Sequence, residues 1–143
     1  MGKDRDARRY ARLQGYSQAK EGISGFHLPL SGFLRELHLS CSCSEEDRAD
    51  VYVVDISLVA EAEGSPCVVR LRFEGVQGLT LKEFGRRPQQ ITGFNVVDML
   101  GDQWDGLSWH VEDYENGVID FYARTARIVE CGRSLDKPGT GPV

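Results

Sequence analysis

Between Cys67 and Leu81 the chain reads Cys-Val-Val-Arg-Leu-Arg-Phe-Glu-Gly-Val-Gln-Gly-Leu-Thr-Leu, and no other stretch narrows the fold as much. Cys67, Val69, Leu71 and Phe73 fall at every second position, with Val68, Arg70, Arg72 and Glu74 in the alternate places. Period two describes a strand with one dry face and one wet face. Leu79 and Leu81 resume the alternation after a glycine-containing link, which predicts a second strand. Residues 51–60 supply a partner for the first. Tyr52, Val54, Ile56, Leu58 and Ala60 share one face, and the segment is rich in β-branched residues, which suit a pleated surface. Glu63-Gly64-Ser65-Pro66 reads as a turn between them. Pairing Ala60 with Cys67 aligns Leu58 with Val69, Ile56 with Leu71 and Val54 with Phe73. A slip of one residue would send every one of these side chains to the wrong face, so an antiparallel hairpin in this register is predicted. Val51, Val53 and Val59 predict that the earlier strand is covered on its other face as well, near its ends.

The same rule extends along the chain. Leu37, Leu39 and Cys41 alternate with Glu36, His38 and Ser40, which predicts a strand through residues 33–41. Residues 89–101 contain both a spacing-three apolar pattern (Ile91, Phe94, Val97) and a short run, Asn95 to Met99, that suits a strand; the strand or an irregular segment is preferred. Leu107, Trp109 and Val111 alternate with Ser108, His110 and Glu112, and Ile119, Phe121 and Ala123 alternate with Asp120, Tyr122 and Arg124. Asn116-Gly117 between them suggests a two-residue hairpin loop. That loop would set Trp109 against Arg124 and Glu112 against Phe121. A loop of three residues, Glu115 to Gly117, instead pairs Val111 with Phe121 and Trp109 with Ala123, and sets His110 against Tyr122 on the wet face. Burial of each large side chain is worth about 1.5–3 kcal/mol, so the second register is predicted, with Gly117 left-handed in a bulge. The expectation is one mainly β domain, an antiparallel meander or β-sandwich of about six to eight strands, with at most one short helix.

Tyr10, Leu13 and Tyr16 recur at spacing three near the start, consistent with a short helix or a loose arm. The chain then divides into a basic N-terminal arm or helix (1–25), a β domain (26–131) and a flexible tail (132–143) rich in glycine and proline. Charge is unevenly distributed. Residues 1–20 hold six Lys and Arg against two Asp, a net +4, whereas the whole chain is −5, which leaves −9 for the remainder. An acidic body favours a basic protein partner and disfavours nucleic acid and anionic membrane surfaces. No apolar run reaches the roughly 20 residues of a membrane span, and no secretory leader is visible, so a cytoplasmic location is expected.

Motifs for chemistry are sparse. Gly75-Val76-Gln77-Gly78 lacks the Lys-Ser/Thr ending of a phosphate loop, and no His-Glu-x-x-His or nucleophile elbow occurs. Cys41-Ser42-Cys43 places one residue between thiols where zinc sites use two to four, and Cys67 and Cys131 are distant in sequence. Neither a metal nor a cofactor is therefore expected, and the cysteines read as small apolar residues on strand faces. Acidic residues gather around aromatic ones late in the chain. Asp102, Trp104, Asp105, Glu112, Asp113 and Glu115 make a candidate surface for a basic protein, with aromatic anchors for affinity and charges for encounter. His110, Glu112 and Tyr122 form an alternative small-ligand or hydrolytic site, since a His beside a carboxylate can move protons. Assembly through an exposed strand edge is a third expectation.

Phe26-His27, the following strand, the run Val69-x-Leu71-x-Phe73-x-Gly75-Val76-x-x-Leu79-x-Leu81 and the segment from Trp109 to Phe121 together resemble small bacterial β-rich domains of the immunity-protein type found in polymorphic toxin systems. The resemblance covers residues 26–131. In similar sequences an Asp follows the Phe-His pair, and Leu28 stands there in this chain. The resemblance implies a small sheet protein that binds another protein and catalyses nothing.

Overall fold

Among the described residues the alternating pattern folds as eight antiparallel strands, with a short helix ahead of them. The computed structural model describes residues 9–43, 50–82, 90–99, 107–113, 115 and 117–133. Helix α1 is Tyr16–Gly22. The strands are β1 (Leu30–Cys43), β2 (Asp50–Ala62), β3 (Ser65–Glu74), β4 (Gln77–Leu81), β5 (Gln90–Asp98), β6 (Trp109–Asp113), β7 (Ile119–Ala123) and β8 (Thr125–Arg133). They make one open sheet in the order β4-β7-β6-β5-β1-β2-β3-β8, the mainly β architecture that the alternation implies.

Hairpin registers follow the apolar pattern. β2 and β3 pair Ala60 with Cys67, Leu58 with Val69, Ile56 with Leu71 and Val54 with Phe73. β6 and β7 pair Trp109 with Ala123, His110 with Tyr122 and Val111 with Phe121. Gly117 is left-handed at φ 64°, as the longer loop requires. The ladder nevertheless opens earlier than a three-residue loop implies, because β6 ends at Asp113 and β7 begins at Ile119. The Asp113 carboxylate accepts the Glu115 N–H at 3.2 Å and its carbonyl accepts the Gly117 N–H at 2.8 Å, so the turn draws on β6 for its hydrogen bonds. The ambiguous segment before this hairpin is a strand, β5.

β3 and β7 lie far apart in the sheet order, yet Phe73 meets Phe121 edge to face, with ring centroids 5.1 Å apart. The sheet therefore curls around its apolar face. Main-chain bonds from Arg124 N–H to Glu74 O (3.0 Å) and from Val76 N–H to Tyr52 O (3.1 Å) hold the curled halves together. Val54, Val69, Phe94, Val96, Val111 and Phe121 inside it are completely buried. On the reverse face of β2 Val53 is buried, whereas Val51 and Val59, nearer the ends, are half-buried. Coverage runs out toward the far end of the β1–β2 hairpin. A register shift between Leu34 and Glu36 bends β1, Leu37 packs on the core, but Leu39 and Tyr52 are about half exposed.

The first described residues belong to this core. Tyr10, Leu13 and Tyr16 are buried, with the rings of Tyr10 and Tyr16 4.8 Å apart. Their spacing suggests one helix, but residues 10–13 form turns, with the Leu13 N–H donating to the Tyr10 carbonyl at 3.0 Å, and α1 begins at Tyr16. Gln14 bridges in parallel fashion to Arg127 of β8, and its carbonyl accepts the Ile128 N–H at 2.8 Å. Gly15 follows at φ 90°, where a Cβ would overlap the Ile128 carbonyl oxygen. Contact with β8 thus interrupts the helical path between Arg9 and Tyr16. Gly132 and Arg133, expected at the start of the tail, are the last residues of β8; residues 134–143, and Lys3, Arg5 and Arg8 of the basic arm, lie outside the described residues. Among the described residues, no helix is long and apolar enough to cross a membrane.

Candidate functional site

Strand parity decides which late-chain polar groups can meet. Trp109, Val111 and Asp113 point inward on β6, and His110 and Glu112 point outward. On β7, Asp120 and Tyr122 share that outer face. The register sets His110 opposite Tyr122 and Glu112 opposite Asp120. The imidazole stacks on the Tyr122 ring, with centroids 4.4 Å apart and planes within 9°. Its Nε2 lies 3.1 Å from Asp120 Oδ1 and 3.7 Å from Glu112 Oε2. Side-chain exposure is 23% for His110, 30% for Glu112 and 44% for Asp120, so the cluster is half-buried on a rigid sheet.

Neighbouring strands frame this cluster. β5 sets Val97 beside His110 and Asn95 beside Glu112. Asn95 is fixed in turn by the N-terminal segment, since the Tyr10 hydroxyl donates to Asn95 Oδ1 at 2.6 Å. On the other flank β4 sets Gln77 beside Tyr122 and Thr80 beside Asp120. The Arg12 guanidinium reaches Asp98 at 3.1 Å near the end of β5.

The structure brings together the alternative trio His110, Glu112 and Tyr122, and adds Asp120 to it. Asp120 was available to sequence reasoning, because the register that pairs Val111 with Phe121 also sets Glu112 against Asp120. Of the candidate partner surface, Glu112 stands in this cluster and Glu115 is exposed on the loop. Asp113 is 1% exposed, and its Oδ1 accepts the N–H groups of Gly93 and Glu115, both at 3.2 Å. It is a tie between β5, β6 and the loop, shielded from any partner, because it shares the inward parity of Trp109 and Val111. Asp102, Trp104 and Asp105 lie outside the described residues.

The remaining candidates are dispersed. His27 is exposed and its Nδ1 lies 3.2 Å from the Pro29 carbonyl oxygen. His38, on the outer face of β1, meets Glu36 at 3.0 Å, and this hydrogen bond holds the Glu36 carboxyl below the ordinary glutamate value. Cys67 is completely buried, Cys131 half-buried and Cys41 exposed; among the described residues no cysteine joins a group of three metal-type donors. Among the described residues, cavities lie elsewhere. One of about 390 Å³ separates α1 from β8, and one of about 220 Å³ runs over Ser57 between Glu36, Asp55 and Arg70.

The outer face of β6 and β7 therefore presents two carboxylates facing each other with one imidazole between them. Comparison of the chain with protein-family models, with curated proteins and with solved structures finds no match in any of the three.

Proposed function

We propose that the protein is a non-catalytic binding module, of the immunity type, whose outer β6–β7 face receives a basic protein partner. The observation that carries this reading is Glu112 directly opposite Asp120 on an accessible face. Like charges directly opposite each other in a sheet are destabilising. A Lys or Arg from a partner would relieve that repulsion and gain charge-assisted hydrogen bonds. The half-buried Tyr122–His110 stack beside the carboxylates offers a flat, rigid surface for the partner's aliphatic stems. The −9 balance of the chain beyond residue 20 adds long-range attraction for a cationic protein. If the partner is a toxin domain, its gene is expected beside the one encoding this chain.

A Lys/Arg-rich peptide titrated into isotope-labelled protein tests the surface. Amide shifts are expected to concentrate on His110, Glu112, Asp120 and Tyr122, and to weaken as salt is raised, since exposed charges are screened. Asp120→Lys should abolish them. Shifts spread evenly over the molecule, or insensitive to that charge reversal, would sink the reading.

A further inference from the structure

We infer that His110 Nε2 and the carboxylates of Glu112 and Asp120 form a binding site for a divalent transition-metal ion of the zinc type. This goes beyond the docking of a basic partner and does not depend on it. The three donor atoms lie within 4.8 Å of one another. A tetrahedral zinc ion sits about 2.0–2.1 Å from imidazole nitrogen and carboxylate oxygen, which puts its ligands about 3.3 Å apart. The distances of 3.1 Å from His110 to Asp120 and 3.7 Å from His110 to Glu112 bracket that separation. An ion would sit between these donors once the two carboxylates, whose separation is bounded by 4.8 Å, turn toward it.

The donor set also selects the ion. One imidazole with two carboxylates suits zinc and its first-row neighbours, whereas calcium and magnesium favour all-oxygen shells. Three protein ligands leave a fourth position open toward solvent, as in zinc sites that accept an outside ligand. Preorganisation comes from the fold. His110 and Glu112 stand on β6 and Asp120 on β7, so paired strands fix the spacing of all three. The Tyr122 ring lies parallel to the imidazole and holds its plane. Two negative charges meeting a doubly positive ion leave the site neutral, which removes the repulsion between Glu112 and Asp120.

Calorimetric titration of chelator-treated protein with Zn²⁺ tests the site, with Co²⁺ absorption as a report on coordination and Mg²⁺ as a comparison. One equivalent of Zn²⁺ is expected to bind, and Mg²⁺ to bind far more weakly. His110→Ala, Glu112→Gln and Asp120→Asn should each lower the affinity by about tenfold or more, while circular dichroism stays unchanged. The isosteric Asp120→Asn keeps the test valid if the alanine variant unfolds. A Cys41→Ser/Cys43→Ser/Cys131→Ser background leaves the completely buried Cys67 as the one remaining thiol. Loss of Zn²⁺ binding in that background, equal binding by Zn²⁺ and Mg²⁺, or affinity unchanged in Asp120→Asn would overturn the inference. No peptide is present in this titration, so its failure leaves the docking surface standing, and failure of the peptide titration leaves the metal site standing.

Discussion

Asp113→Ala is expected to destabilise the protein without touching the recognition of a cation, and the size of the effect follows from two contacts. Asp113 is 1% exposed and its Oδ1 accepts the Gly93 and Glu115 N–H groups at 3.2 Å each. A hydrogen bond to a charged acceptor contributes about 1.5–3 kcal/mol. Both bonds are long, so the lower figure applies to each and about 3 kcal/mol is lost. Truncation also strands the buried Gly93 N–H, while it removes the cost of burying a carboxylate; these oppose each other and leave the estimate at about 3 kcal/mol. With a urea slope of about 2 kcal/mol/M for a chain of this size, the unfolding midpoint should fall by about 1.5 M at unchanged slope. Asp113→Asn keeps the Oδ1 acceptor and should lose less than half as much. Under conditions where the variant is fully folded, its affinity for a Lys/Arg-rich peptide and for Zn²⁺ should equal that of the parent. A midpoint unmoved in Asp113→Ala, together with weakened peptide binding, would refute the structural role and return Asp113 to the recognition surface.

Other perturbations report on different parts of the fold. Gly15→Ala forces a left-handed backbone on alanine and sets its methyl against the Ile128 carbonyl, so a loss of about 2 kcal/mol is expected in thermal or urea unfolding; Gly22→Ala, which meets no atom within 4 Å, should be neutral or slightly stabilising. Phe121→Ala removes a completely buried ring that packs edge to face on Phe73 and should cost about 3–5 kcal/mol, a shift readily seen in the urea midpoint. Glu36 should titrate below an ordinary glutamate by carboxyl NMR, because His38 donates a hydrogen bond to its ionised form, and His38→Ala should raise that midpoint. A depressed carboxyl stabilises the folded state above its unfolded pKa, so whatever this contact contributes is lost as pH falls through the lowered value.

Hairpin registers are readable from the sequence because neighbouring strands are tied by short turns, and each apolar face has only one alignment that buries it. Cys67 against Ala60 and Val111 against Phe121 follow from parity alone. Non-local pairings do not follow. Leu30 meets Phe94, and Phe73 meets Ala126, across more than fifty residues, and no periodicity says which distant edges join. Parity also carries information about the site that composition obscures. An aspartate next to a loop suggests solvent, but Asp113 stands two residues from Val111 and turns inward with it. Asp120 enters the cluster by the same counting. The start of α1 is the reverse case, since Tyr10, Leu13 and Tyr16 have helical spacing yet Gln14 is held by Ile128, a partner more than a hundred residues away.

That bridge has a consequence for synthesis on the ribosome. Tyr10, Leu13 and Tyr16 leave the exit tunnel more than a hundred residues ahead of β8, the strand that receives them. Until residues 125–133 emerge, Tyr10, Leu13 and Tyr16 have no finished surface to cover them, and they are available to chaperones or to one another. Completion of β8 is the event that lets both ends of the described chain settle together.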